Sequence, residues 1–155
     1  MSFDEIKQLI YQYCQENGSD DVPFYVNDLI EENEIIKKLT YPRFMDLTID
    51  FFEKKFQKLK LSNIDNLLED LKVSRDFLSK KISIQQLENR CVIAWKQHDK
   101  LKHIEQHSQR LTITLLYPSV LNNKPDPTDQ MTPIEFILDY LSLIDDELPI
   151  LYYWK

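Results

Sequence analysis

The sequence predicts a mainly α-helical protein, a single-domain bundle of about five to seven helices over residues 1–155. Three observations support this. Apolar residues recur at helical spacing along most of the chain, and 155 residues are enough for one domain with a sizeable core. Helix-start signals, a serine or threonine followed three places later by an acidic residue or glutamine, precede several of these stretches. Gly18 is the only glycine, which excludes the glycine-rich loops that bind phosphate groups.

The first helix is bounded by two signals. Ser2 and Glu5 form a predicted capping box, and Gly18 suits the left-handed conformation that closes a helix. After a polar turn, a second helix is expected near residues 28–39, with Asn27 as its N-cap, because the apolar residues of this stretch fall on one stripe.

The middle of the chain predicts three further helices. Pro42 opens the first of them, since proline is favoured in the first helical turn, and its aromatic stripe continues to about residue 60. Ser62 and Asp65 start a short helix, and Ser74 is expected to start another.

The last third of the chain combines clear signals with an ambiguous one. Ser83 and Gln86 form a capping box that opens the longest predicted helix, about 84–108. Residues 111–117 suit a strand, because threonine alternates with β-branched residues, or a continued helix; as a strand they would pair with the β-prone tail 150–155. Thr132-Pro133-Ile134-Glu135 predicts a final helix near 133–146.

Charge is distributed in three blocks. Residues 1–53 carry 4 basic and 12 acidic side chains, residues 54–110 carry 13 and 7, and residues 111–155 carry 2 and 7. The net charges are therefore −8, +6 and −5 in a chain of net charge −7. Charge asymmetry of this kind suggests charged binding partners.

Catalytic groups are not brought together by any recognisable motif, so the sequence predicts a protein that is not an enzyme and needs no metal or cofactor. Asp99, His103 and His107 are four residues apart and would share one face of the predicted long helix, but their pattern differs from known zinc motifs. Cys14 and Cys91 lie among apolar residues, which is typical of inert core thiols.

The basic block provides a candidate surface for nucleic acid. Its lysines could neutralise phosphates if they cluster: Lys54, Lys55, Lys58, Lys60, Lys80, Lys81, Lys96, Lys100 and Lys102. The acidic blocks would repel a long polyanion, and most of these lysines are predicted on the outer faces of helices. Nucleic acid is therefore an unlikely partner in this interpretation, and a nucleic-acid-associated regulatory or scaffold module using residues 54–102 is the alternative function.

The acidic blocks favour a different partner, a basic protein, because a negative field steers such a partner and raises its association rate. Tyrosine and tryptophan beside acidic residues are typical of interface anchors, although the aromatic tail could equally close the core. The predicted partner-binding residues combine the two features: Asp20, Asp21, Asp145, Asp146, Glu147, Tyr152, Tyr153 and Trp154.

In size, acidic charge, helical character and lack of catalytic groups, the chain is similar to the small cytoplasmic immunity proteins that bacteria make against secreted nuclease toxins. No motif carries this resemblance, so it assigns no residue a role. It implies a cytoplasmic protein that neutralises a basic toxin domain by occlusion. No signal peptide or membrane span is expected, because the N-terminus lacks the signal-peptide pattern and no apolar run approaches ~20 residues.

Overall fold

The computed structural model describes residues 3–18, 22–32 and 40–122, together with Ile137. It confirms the mainly α-helical prediction: the described residues form seven helical segments and no strand. These are α1 (Phe3–Asn17), α2 (Val22–Glu32), α3 (Tyr41–Lys58), α4 (Ile64–Leu78), α5 (Ile84–His98), α6 (His103–Thr114) and the single turn α7 (Pro118–Leu121).

Helices that follow one another in the chain pack against one another. The main contacts join α1 to α2, α3 to α4, α4 to α5 and α5 to α6, and α4 also packs against α6. One apolar cluster fills the space between them, and its largest fully buried side chains are Phe44, Phe52 and Phe56 on α3. Burying each of these rings contributes roughly 1.5–3 kcal/mol through the hydrophobic effect.

The first two helices are present as the sequence predicts, but the second one starts earlier than predicted. Helix α1 ends at Gly18, whose φ of 79° is the left-handed conformation expected there. Helix α2 begins at Val22, six residues before the predicted start, so Asn27 lies within the helix and is not its N-cap. Ser2 of the predicted capping box lies outside the described residues, as does the stretch 33–39.

Ser74 does not start a new helix, because α4 continues through it. Its hydroxyl is buried and donates to the carbonyl oxygen of Asp70, 3.1 Å away in the same helix, and to that of Leu115 at 2.8 Å. A serine whose hydroxyl bonds to the carbonyl oxygen four residues earlier can lie inside a helix and does not have to start one. Here the same hydroxyl also joins α4 to the end of α6.

The predicted helix 84–108 is wrong in its second half, because the chain turns between α5 and α6. The capping box at its start is confirmed: the backbone N–H of Gln86 donates to Ser83 Oγ at 3.2 Å, and that of Ser83 donates to Gln86 Oε1 at 2.9 Å. Helix α5 ends at His98, and α6 starts at His103 with a φ of 54°. This turn sends α6 back along α4 and α5.

The strand alternative for residues 111–117 is also wrong, since α6 includes residues 111–114 and the chain then turns. Residues 111–116 are all buried, so the alternation of threonine with apolar residues does not indicate one buried and one solvent-exposed face. The hydroxyls of Thr112 and Thr114 accommodate burial by donating to the carbonyls of Gln109 and Arg110. The proposed partner strand 150–155 lies outside the described residues, as does the helix 133–146 except for Ile137, which is helical and buried.

A buried carboxylate joins the three central helices. Asp70 on α4 is fully buried and accepts hydrogen bonds from Arg90 Nε on α5 at 2.6 Å, and from Gln109 Nε2 and Thr112 Oγ1 on α6 at 2.6 and 2.7 Å. Arg90 also donates to the carbonyl oxygen of Asn66 at 3.2 Å. Burial raises the pKa of Asp70 above its ordinary value, and the hydrogen bonds from Thr112 and Arg90, with the positive charge of Arg90, oppose that rise.

Replacing Asp70 by asparagine is expected to lower the free energy of unfolding by about 3 kcal/mol, because the amide nitrogen that replaces one carboxyl oxygen cannot accept the buried hydrogen bonds that Arg90, Gln109 and Thr112 donate. A carboxyl with a raised folded-state pKa stabilises the fold more as pH falls from the folded pKa towards the unfolded value. The decrease in the free energy of unfolding caused by Asp70→Asn, measured by urea unfolding, should therefore be larger at pH 4.5 than at pH 7. A smaller loss at pH 4.5 would mean that the hydrogen bonds outweigh burial.

A lysine occupies a position at the end of α4 that glycine would fill with less strain. Lys80 has a φ of 60°, and its N–H donates to the carbonyl oxygen of Phe77 while that of Lys81 donates to the carbonyl oxygen of Asp76, the pair of bonds of a Schellman motif. The left-handed conformation costs a residue with a Cβ about 1 kcal/mol.

Lys80→Gly should therefore raise the free energy of unfolding by up to about 1 kcal/mol and the midpoint of thermal unfolding by about 2–4 °C. Lys81→Gly is the control, because Lys81 has no left-handed backbone to relieve and should gain nothing. A thermal melt followed by circular dichroism checks both, and equal midpoints for the two variants would contradict the expectation.

Candidate functional site: an acidic helical hairpin

None of the predicted partner-binding residues lies in the described part of the chain. Asp145, Asp146, Glu147, Tyr152, Tyr153 and Trp154 follow the last described residue, and Asp20 and Asp21 lie in the connection between α1 and α2. Their role as a binding surface stays a prediction. The two helices that flank Asp20 and Asp21 are described, and they extend the acidic character of that connection.

Helices α1 and α2 pack together as an acidic hairpin, which we define as residues 3–32. It contains eight acidic residues and one basic residue, Lys7. The described carboxylate side chains are all exposed to solvent: Glu5, Glu16, Asp28, Glu31 and Glu32. Because one basic residue stands against eight acidic ones, this hairpin presents a net negative surface.

Two tyrosines form the seam between the helices of the hairpin. The rings of Tyr13 on α1 and Tyr25 on α2 are stacked, with centroids 4.1 Å apart and planes 7° from parallel, and both side chains are half-buried. Burial raises the pKa of the Tyr25 hydroxyl, and the negative charges of Glu32 and Glu16 raise it further, as does Tyr13. The two carboxylates therefore act on the same aromatic seam.

This arrangement suits a cationic side chain. Aromatic faces attract guanidinium and ammonium groups, and adjacent carboxylates strengthen that attraction. An exposed aromatic residue, Tyr11, adds to the outer face of α1, where 51 % of its surface is accessible. The hairpin therefore brings carboxylates and aromatic rings together on two helices.

Sequence reasoning found the acidic residues of this hairpin but missed its aromatic seam. The predicted start of the second helix, near residue 28, leaves Tyr25 outside that helix. A start signal at Val22-Pro23 was available, since proline is favoured in the first helical turn. Nothing in the spacing of Tyr13 and Tyr25 shows that they stack, because their contact depends on how two helices pack.

The histidine face that the sequence suggested does not exist as one helix face. Asp99 lies just after α5 ends, and His103 begins α6 after the turn, so only His103 and His107 share a helix. His98 is half-buried, with its Nδ1 3.1 Å from Asp99 Oδ1. Among the described residues, no group of three histidine, cysteine or acidic side chains could hold a metal ion.

Cys91 lies in a polar and aromatic cluster between α5 and α6. The thiol is buried, and burial raises its pKa, while a hydrogen bond with Tyr117 opposes the rise. Trp95 Nε1 donates to the hydroxyl oxygen of Tyr117 at 2.9 Å, and the guanidinium of Arg110 lies 4.9 Å from the centre of the Trp95 ring. These contacts join helices, and a raised thiol pKa disfavours the reactive thiolate. The side chain of Cys14 lies outside the described residues.

The nine lysines of the predicted basic face do not form one surface. Lys80 and Lys81 lie in the turn between α4 and α5, whereas the other seven lie in or after the last two turns of α3 and in or after the last turn of α5. Helix α4 separates the two groups, and its 15 residues span about 22 Å at 1.5 Å per residue.

The described residues contain no helix that is long and apolar enough to cross a membrane. In comparisons with known proteins, no protein-family model matches the chain, no curated protein matches it, and no solved structure matches it.

Proposed function

We propose that this chain is a cytoplasmic, non-catalytic binding protein that neutralises a basic protein partner by occlusion. The partner that fits best is a cognate bacterial toxin domain, with nucleases the leading candidates because their own partners are polyanions. The observation that supports the proposal is the acidic hairpin, where exposed carboxylates flank the stacked pair Tyr13 and Tyr25.

The two components of the hairpin act on different steps of binding. Exposed carboxylates attract a basic surface over about a Debye length, ~8–10 Å at physiological ionic strength, and so raise the association rate. Aromatic side chains act after contact, because they bury large surfaces at small cost in side-chain entropy and slow dissociation. A protein with both features can block an active site that is itself built to bind phosphate groups.

The C-terminal cluster combines the same kinds of residue and is the second proposed binding segment. Asp145, Asp146 and Glu147 provide negative charge, and Tyr152, Tyr153 and Trp154 are the proposed anchors. Asp20 and Asp21 extend the acidic hairpin at its connection. The engagement of the chain's other polar groups in helix contacts, such as Asp70, Arg90 and Ser74, fits a scaffold whose function lies at its surface.

The first experiment is a pull-down from the native host at low and then high salt, with bound proteins identified by mass spectrometry. The proposal predicts one basic protein domain, retained in stoichiometric amount and released as salt rises. An uncharged or acidic partner, or the absence of any specific protein, would contradict it.

Once the partner is identified, Glu16→Lys together with Glu32→Lys should lower its association rate about tenfold at low salt. The dependence of that rate on salt should also weaken. Stopped-flow kinetics measures both quantities. The matched control is Glu69→Lys with Glu88→Lys, which makes the same charge change at exposed carboxylates of α4 and α5. If the control slows association equally, the effect is that of net charge and the hairpin is not the docking surface.

Reversing the charges of Asp145, Asp146 and Glu147 tests the second half of the surface in the same assay. We expect slower association and a weaker dependence on salt. Trp154→Ala should instead raise the dissociation rate while the thermal midpoint stays unchanged. A large drop in the midpoint would assign Trp154 to the core and remove it from the proposed surface.

A further inference from the structure

Five lysines are brought to one end of the bundle by the order of the helices, and we call this the basic end. Helix α3 runs into it and leaves Lys58 and Lys60 there; helix α5 runs into it and leaves Lys96, Lys100 and Lys102. All five side chains are exposed, and within the described residues none of them is in an ion pair.

Hydrogen bonds between the two connections show that these lysines share an end. Asn63, in the turn after α3, donates from Nδ2 to the carbonyl oxygen of Glu105 at 3.2 Å, and the hydroxyl of Ser62 donates to the carboxylate of Glu105. Glu105 lies in the first turn of α6, immediately after the α5–α6 turn. The α3–α4 turn and the α5–α6 turn are therefore in contact.

The charge balance at this end is positive. Among the residues that the structure describes, three carboxylates stand against the five lysines: Asp65, Asp99 and Glu105. Two of these carboxylates have a neighbouring polar partner: Glu105 accepts a hydrogen bond from the Ser62 hydroxyl, and Asp99 lies beside His98. All three histidines of the chain, His98, His103 and His107, also lie at this end.

Two helix N-termini point into the same region and add partial positive charge. Neither the N-cap of α4, Asn63, nor that of α6, Lys102, makes a side-chain capping bond. Each first turn also carries a carboxylate, Asp65 in α4 and Glu105 in α6, which interacts with the helix dipole. The N-termini therefore add little to the charge of the five lysines.

We infer that the basic end binds the phosphate backbone of a nucleic acid, without reading its sequence. Lysine is a strongly hydrated point charge that suits phosphate, and the five side chains spread over two connections match a repeating row of charges better than a single small anion. No arginine lies among them to make the bidentate contact with guanine that is common in sequence-specific readers. This inference goes beyond the proposed function, and neither depends on the other.

The test measures binding of the full chain to a fluorescein-labelled DNA duplex of 20 base pairs and arbitrary sequence, by fluorescence anisotropy between 50 and 200 mM salt. Binding should weaken as salt rises, because each neutralised phosphate contributes about 0.9 to the slope of log affinity against log salt. Lys58→Gln with Lys100→Gln and Lys102→Gln should reduce affinity at 50 mM salt at least tenfold and reduce that slope by up to about 3.

The chain provides its own control in the two lysines at the opposite end. Lys80→Gln with Lys81→Gln should change affinity by less than twofold, because α4 separates these residues from the basic end. All substituted side chains are exposed, so thermal midpoints should stay within a few degrees of the unsubstituted protein.

Three outcomes would overturn the inference. The first is no binding of the duplex at 50 mM salt, and the second is an equal loss of affinity in the control variant. The third is equal binding of a polyglutamate of similar charge, which would show that the basic end takes acidic polypeptide as readily as phosphate. None of these results bears on the pull-down that tests the acidic hairpin.

Discussion

The position of the three central helices depends on one buried carboxylate. Asp70 accepts hydrogen bonds from Arg90 on α5 and from Gln109 and Thr112 on α6, while the hydroxyl of Ser74 links α4 to the residue after α6. A buried, charged group of this kind gives weak net stability, but losing one partner leaves an uncompensated charge. The network joins α4, α5 and α6 in the arrangement that places Lys58 and Lys60 at the same end as Lys96, Lys100 and Lys102.

The charge blocks of the sequence fall on different helices. The acidic hairpin, residues 3–32, is made of two helices adjacent in sequence, so its charge pattern is local. The basic end is not local: it draws residues from 58–60 and 96–102, and it excludes Lys80 and Lys81. The chain therefore carries surfaces of opposite sign on different helices.

Sequence patterns predicted helix ends correctly where the signal is a local hydrogen bond or a local backbone conformation. They failed where the structure depends on how helices pack against one another. The Ser83–Gln86 capping box and the left-handed Gly18 are local, and both are confirmed. The helical state of residues 111–114 accompanies the burial of all four side chains and the packing of α6 against α4, which no local pattern encodes. The prediction that Ser74 starts a helix is wrong for the same reason, since its hydroxyl donates to the carbonyl oxygens of Asp70 within α4 and of Leu115. The stacking of Tyr13 on Tyr25, and the split of the lysines, likewise needed the helix packing.

The packing of helices against their neighbours in sequence has a consequence for how the chain acquires its structure. Each principal contact except α4 with α6 joins consecutive helices, and the Arg90–Asp70 pair spans 20 residues. Proteins dominated by such short-range contacts lose little chain entropy before contacts form, and they fold within microseconds to milliseconds. The described helices would therefore bury their apolar faces early in folding.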